Sequence, residues 1–160
     1  MAQIYLLLGG NTGDRTNYLN MAREMIARYI GTVETVSAFY ETEPWGFENG
    51  NLFLNQLVVA NTGLEPGQAL EKILKIELQL DRERIEGQYS SRTIDIDILF
   101  YEDRVINEKD LVIPHPRLHE RRFALEPLAE VVPELTHPVL GKTISRLLEE
   151  CPDTLMVKKL

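Results

Sequence analysis

Apolar residues run almost unbroken from Gln3 to Leu8 and stop at Gly9-Gly10-Asn11, a pattern that predicts a short buried strand closed by a turn. Asp14 then stands where a helix cap belongs. Tyr18, Leu19, Ala22, Met25, Ile26, Tyr29 and Ile30 follow at three-to-four spacing, one apolar stripe that Gly31 ends. From Thr32 to Tyr40, β-branched and aromatic residues predict a second strand. Residues 41–51, ETEPWGFENGN, carry one proline and two glycines and predict a loop, after which Leu52 to Ala60 predicts a third strand. Pro66 suits the first turn of a second helix with its stripe at Ala69, Ile73, Ile76 and Leu80, flanked by Leu70 and Leu74. Glu77 aligns with those flanking leucines, where an acid is unexpected. A partner among Arg82, Arg84 and Arg92, at the two ends of the polar loop that follows (Asp81 to Ser91), would explain it. Beyond the strand that follows, the pattern predicts a hairpin turning at Glu102-Asp103, a loop around Pro114-His115-Pro116, and short helices near Pro127 and Ile144. The leading order, strand–helix–strand–strand–helix–strand, predicts an α+β fold of ferredoxin-like plan: one mainly antiparallel sheet with packed helices, in a single domain spanning residues 1–160.

The fourth of those strands breaks its own pattern. It reads SRTIDIDILFY, residues 91–101, and sets Asp95 and Asp97 on one face, roughly 6.5–7 Å apart along the strand. Strict alternation puts Ile94, Ile96, Ile98 and Phe100 on the other face and continues the aspartate face with Leu99 and Tyr101. Adjacent carboxylates repel, and aspartate is disfavoured in strands, so something must offset the pair. Mg2+ would: it takes hard oxygen ligands and is commonly held by one or two carboxylates together with substrate phosphates. A wet strand face balanced by Arg92 or Arg82 would offset it as well.

Charge changes the picture in one respect. The chain is acidic, net −8, which argues against a broad nucleic-acid footprint, yet seven of its eleven arginines fall between Arg82 and Arg122. Guanidinium groups match phosphate oxygens in geometry and keep their charge, so arginines gathered near two aspartates suit a compact polyanion bound with metal. A phosphate loop of the G-x-x-x-x-G-K-[ST] type is absent; GGNTGDR lacks the lysine and the length. Composition is that of an ordinary globular protein, with 44% hydrophobic residues and no apolar run near the roughly 18–20 residues that span a bilayer. The start has no basic leader, and the single Cys151 allows no internal disulfide; both suit the cytoplasm.

Other residues carry candidate chemistry. Trp45 and Phe47 lie on the 41–51 loop, where aromatic faces would suit a flat ligand or would anchor the loop. Asn55, among Phe53, Leu54 and Leu57, offers an acceptor and two donors that match the amide-like edge of a heterocycle or bond the backbone. His115 and His119 are separated by Pro116, which argues against a helical metal pair; His115 near Arg117 and Arg121 would donate to phosphate or serve packing.

Taken together, RTIDIDIL, VIPHPRLHERRFALEPLAEVVPEL and FYETEPWGF…NLFLNQ closely resemble 6-hydroxymethyl-7,8-dihydropterin pyrophosphokinase of folate biosynthesis, over essentially the whole chain. The resemblance implies a ferredoxin-like fold and transfer of pyrophosphate from ATP to the pterin hydroxymethyl oxygen, leaving AMP. It implies that Asp95 and Asp97 hold two Mg2+ ions on the triphosphate and that Arg82 and Arg92 neutralise charge at the transferred group. Arg84, His115 and Arg121 would hold phosphates, and Ile98 would lie near the adenine. Thr42, Pro44, Trp45, Gly46, Phe53, Asn55 and Phe123 would form the pterin pocket. The sequence departs from the family pattern at Tyr89-Ser90-Ser91, where tyrosine would stack in place of tryptophan, and at Ile85 and Pro116. ATP and the pterin are the expected partners of a monomer that binds neither nucleic acid nor membrane. A phosphohydrolase using the same aspartates, or a non-catalytic ferredoxin-like module, are the alternatives.

Overall fold

The computed structural model describes residues 1–43, 52–81 and 94–160. Strand β1 (Ala2–Gly10) is central, between β5 (Asp95–Tyr101) and β4 (Phe53–Thr62), and all three are antiparallel neighbours. Its apolar run is explained by burial on both faces. Ile4, Leu6 and Leu8 point into one core, and Tyr5 and Leu7 into another. The predicted end at Gly9-Gly10 is too early, since both glycines still pair with β4, opposite Asn55 and Leu54.

Helix α1 (Arg15–Tyr29) starts where Asp14 accepts a hydrogen bond from the Asn17 N–H at 3.1 Å, and buries Leu19, Ala22 and Ile26. Helix α2 (Pro66–Asp81) buries Ala69, Ile73, Ile76 and Leu80, the predicted stripe. Both pack on the same face of the sheet. Gly31 does more than end α1. It is the first residue of β2 (Gly31–Val36), and a Cβ there would lie 2.2 Å from the Asn61 carbonyl oxygen.

The single strand expected over 32–40 is two. β2 pairs with the far end of β4, and β3 (Tyr40–Thr42) pairs with its beginning. Between them Ser37 keeps the chain alongside: its N–H donates to the Leu57 carbonyl and its hydroxyl accepts from the Leu57 N–H, both at 2.9 Å. Glu41 and Thr42, expected in the loop, therefore belong to the sheet. The predicted hairpin at 102–103 is also revised. Those residues form a turn, with Glu102 at φ 49°, but the chain then leaves the sheet, and the hairpin is β6 (Ile106–Glu108) with β7 (Leu111–Ile113).

A second layer covers the other face. Helix α3 (Arg122–Val131), which contains Pro127, and helix α4 (Ile144–Glu149) pack on Tyr5, Leu7, Leu57, Val59 and Leu99. The C-terminal β8 (Val157–Lys159), which sequence reading did not anticipate, pairs with β3. The order β5-β1-β4-β3-β8, with β2 also on β4, contains the expected ferredoxin-like arrangement. Among the described residues, no helix is long and apolar enough to cross a membrane.

The aspartate strand alternates only part of the way. Pairing with β1 slips between Tyr5 and Leu6, so Phe100 faces Tyr5 and Ile98 faces Leu6 while Leu99 is left over. This bulge reverses the expected faces of the last two residues. Phe100 joins Leu99 in the α3–α4 core, edge-on to Tyr5 with ring centroids 5.8 Å apart, and Tyr101 joins the α1–α2 core.

Candidate active site

Helices α3 and α4 do not cover the whole of their face. Toward the end of the sheet where β1 finishes and β4 and β5 begin on either side of it, they leave a cleft of about 200 Å³ lined by Leu7, Gly9, Thr42, Glu43, Phe53, Asn55, Asp95, Asp97, Arg121 and Phe123. Strand alternation supplies most of this list. Thr42, Phe53 and Asn55 come forward together because Thr42 is opposite Phe53 and Tyr40 is opposite Asn55.

One wall is finished without a ligand. Thr42 and Asn55 are 2% and 3% exposed, and the Asn55 Nδ2 donates to the Thr42 Oγ1 at 2.9 Å. That bond fixes the amide orientation; a side-chain amide has in addition a second hydrogen and the Oδ1 acceptor, groups that could meet the edge of a heterocycle. Gly9 makes room for it: a Cβ at Gly9 would lie 2.6 Å from the Asn55 Oδ1. Phe123, from the first turn of α3, adds an aromatic face, and the Arg121 guanidinium lies over its ring at 5.6 Å.

The opposite wall is charged. Asp95 is exposed and Asp97 half-buried, both on the cleft side of β5. Among the described residues no group of three or more His, Cys, Asp or Glu is arranged to hold a metal ion. Asp95 and Asp97 are a pair of hard oxygen donors, a type of set that could hold a Mg2+ ion whose other ligands are phosphates and water.

Beneath this strand Glu77 has a definite role. Its carboxylate accepts the Ile96 N–H at 2.8 Å, reaching from α2 to the outer edge of β5 between the two aspartates. Among the described residues no strand lies beyond β5, and this bond satisfies a donor on that edge. The arginine partner expected for Glu77 lies outside the described residues.

A second cleft, about 300 Å³, opens on the other side of Asp97 and is lined by Leu70, Ile96, Asp97, Ile98, Lys109, Asp110, Leu111, Val112, His115 and Pro116. Asp97 borders both clefts. The Nδ1 of His115 accepts from the Arg117 N–H at 3.2 Å, so in the neutral ring the proton sits on Nε2. Burial, reinforced by Arg121 and Arg117, lowers its pKa to about 4. Burial also lowers the pKa of Arg121, while Asp97 acts in the opposite sense.

The structure thus brings Thr42, Phe53, Asn55, Asp95, Asp97, Arg121 and Phe123 to the first cleft, and Ile98 and His115 to the second. Arg82, Arg84, Tyr89, Arg92, Pro44, Trp45 and Gly46 lie outside the described residues. Sequence reasoning missed Leu7, Gly9 and Glu43 in the first cleft. The glycine pair closing β1 was the available signal for Gly9. It also missed Lys109 to Val112, which only the placement of the β6–β7 hairpin brings to the second cleft.

Comparison with known proteins agrees over most of the chain. Residues 5–133 match the family model for 7,8-dihydro-6-hydroxymethylpterin-pyrophosphokinase. A 2-amino-4-hydroxy-6-hydroxymethyldihydropteridine pyrophosphokinase of Aquifex aeolicus is 41% identical over 94% of this chain and 92% of its own length. The protein of the same name from Porphyromonas gingivalis is 43% identical over 86% of this chain and 95% of its own. Among solved structures, wild-type Plasmodium falciparum HPPK-DHPS superposes with a TM-score of 0.78 over 93% of this chain at 20% identity. This chain spans 44% of that longer one, and the likeness is one of fold.

Proposed function

The chain belongs to the 7,8-dihydro-6-hydroxymethylpterin-pyrophosphokinase family, and on that premise we propose that it transfers the pyrophosphoryl group of ATP to the hydroxymethyl oxygen of 6-hydroxymethyl-7,8-dihydropterin, with Mg2+ and release of AMP. The observation that carries this reading is the position of Asp97 between two clefts of different character. One is walled by Asn55, Thr42 and two phenylalanines; the other is apolar at Leu70, Ile98 and Leu111 and carries His115. A flat heterocycle with an amide edge suits the first. A purine suits the second, with its phosphates crossing Asp97 toward the first.

In the reaction the hydroxymethyl oxygen bonds to the β-phosphorus, the bond from that phosphorus to the α–β bridging oxygen breaks, and AMP leaves carrying that oxygen. The hydroxymethyl proton passes to water. Mg2+ held by Asp95 and Asp97 supplies charge neutralisation on the phosphate oxygens. The chain's own residues do the rest. Asn55, held by Thr42, orients the pterin edge, and Phe53 and Phe123 present apolar faces to the ring. Ile98 and Leu70 seat the adenine. His115, with Nδ1 already occupied, donates from Nε2 to a phosphate oxygen, and Arg121 adds positive charge beside Asp97. Arg82, Arg92 and Arg84 are assigned to the phosphates by the family resemblance. Because phosphoryl transfer passes through a loose transition state, positioning and charge neutralisation are enough, and no strong base is required.

Nucleotide product analysis tests the reading. The protein is incubated with Mg-ATP, with and without the pterin, and AMP is separated from ADP. AMP formed only with pterin is the expected result. ADP and phosphate formed without pterin would make the protein a phosphohydrolase.

A further inference from the structure

We propose that Arg15 is the positioning residue of the pterin-binding wall, holding that wall from the reverse face of the sheet; this rests on the substrate reading above. Arg15 opens helix α1 on the α1–α2 side. Its NH2 group pairs with the Glu41 carboxylate, and its NH1 group donates to the Leu52 carbonyl, both at 2.8 Å. One guanidinium thus ties the end of β3 to the residue just before β4, across 26 and 37 positions of sequence.

What the tie holds can be read from the register. Glu41 is opposite Leu54, whose side chain lies in the α1–α2 core, so Glu41 is on the reverse face. The residues next to Glu41 and Leu52 are Thr42 and Phe53, a directly opposed pair that lines the first cleft. Arg15 therefore grips the same two backbones from behind at the level where they present the pocket in front.

The ordinary ladder gives little help there. β3 is only three residues long, and pairs with β4 on one side and β8 on the other. A ladder that short has few hydrogen bonds with which to resist sliding or splaying. A charged fork engaging a carboxylate and a carbonyl fixes both distance and angle. The pair is half-buried, with side-chain exposures of 29% and 22%, so water screens it less than a surface bridge. The carboxylates of β5 are separated from β3 by β1 and β4. The nucleotide side should therefore not feel the loss of Arg15.

The test compares the wild-type protein with Arg15→Met, which keeps an unbranched apolar stem and removes the fork, and with Arg15→Lys, which keeps the charge but reaches one partner at a time. Steady-state rates are measured against pterin at saturating Mg-ATP and against Mg-ATP at saturating pterin. Arg15→Met should raise the pterin KM by roughly tenfold, the scale of a lost charged hydrogen bond, and leave the ATP KM within about twofold. Arg15→Lys should fall between. Amide exchange over residues 40–42 and 52–55 is read on the same proteins without substrate and should quicken in Arg15→Met, while residues 95–98 stay unchanged. An unchanged pterin KM with unchanged exchange overturns the proposal. So does an equal rise of both KM values with faster exchange everywhere, which would make Arg15 a general structural residue. Wild-type protein that does not turn over pterin overturns the substrate reading instead, and the exchange comparison then decides the role of Arg15.

Discussion

The two walls of the first cleft are built by different physics. On the β3–β4 side, Thr42 and Asn55 are almost fully buried and bonded to each other, with Gly9 leaving space for the amide. On the β5 side, Asp95 is exposed and Asp97 half-buried, and Arg121 lines the same cleft. Among the described residues the first wall is apolar and internally hydrogen-bonded, and the second is charged. On the proposed function, specificity for the flat substrate would reside in the first wall and the demand for metal and phosphate in the second. Substitutions in the two should have separable signatures.

The largest effect should come from the charged wall. Asp97→Ala removes a carboxylate bordering both clefts, and turnover should fall by about 10³-fold or more, the worth of several kcal/mol of lost charge stabilisation. Global stability should hardly change, because the residue is not a core contact. Denaturant unfolding alongside the rate measurement checks both halves.

Thr42→Val should show the opposite signature. It leaves the buried Asn55 amide without its acceptor, and stability should drop by about 1–3 kcal/mol. The pterin KM should rise, with the ATP KM little altered. Equal losses toward both substrates would erase the distinction between the walls.

Glu77 sharpens the comparison from beneath the charged wall. Glu77→Gln keeps an acceptor for the Ile96 N–H, whereas Glu77→Ala leaves that edge donor open. Amide exchange at Ile96 should be faster in Glu77→Ala than in wild type, with a stability loss of about 1 kcal/mol, and near wild type in Glu77→Gln.

A pH dependence is the remaining effect. His115 has a folded-state pKa of about 4, below its ordinary value of 6.5, so the fold favours the neutral ring. Its contribution to stability is present in full above pH 6.5 and is lost as pH falls from there toward 4. His115→Gln should reduce the loss of stability between pH 7 and pH 5, as measured by unfolding at the two values. Bound triphosphate favours the charged ring, so Mg-ATP should reduce that dependence in the wild type.

How much of this could be read from the sequence follows from where each feature gets its cause. The stripe of α2 and the opposed faces of Asp95 and Ile96 are local periodicities, and they survive folding unchanged. The reversal at Phe100 and Tyr101 comes from a slip against β1, which no pattern within β5 records. The second layer was legible only as two short helices. The partner of α3 and α4 is the sheet face that carries Tyr5 and Leu7 of β1 and Leu57 and Val59 of β4, which an apolar run buried on both faces does not single out. The same holds for the site. Asp95 and Asp97 stood out because carboxylates are unusual in a strand, and Asn55 because it interrupts an apolar run. Arg15 did not stand out, since an arginine in the first turn of a helix is ordinary until its partners, 26 and 37 residues away, are known.

The most direct test of the account follows the phosphorus. Reactions with Mg-ATP labelled at the α- or at the β-phosphate, in the presence of pterin, are run with the wild type and with Asp97→Asn, and the label is traced to the pterin product and to the mononucleotide. β-Label should move to the pterin while α-label stays in AMP, and formation of both labelled products should collapse together in Asp97→Asn. β-Label retained in ADP, or transfer undiminished in Asp97→Asn, would contradict it.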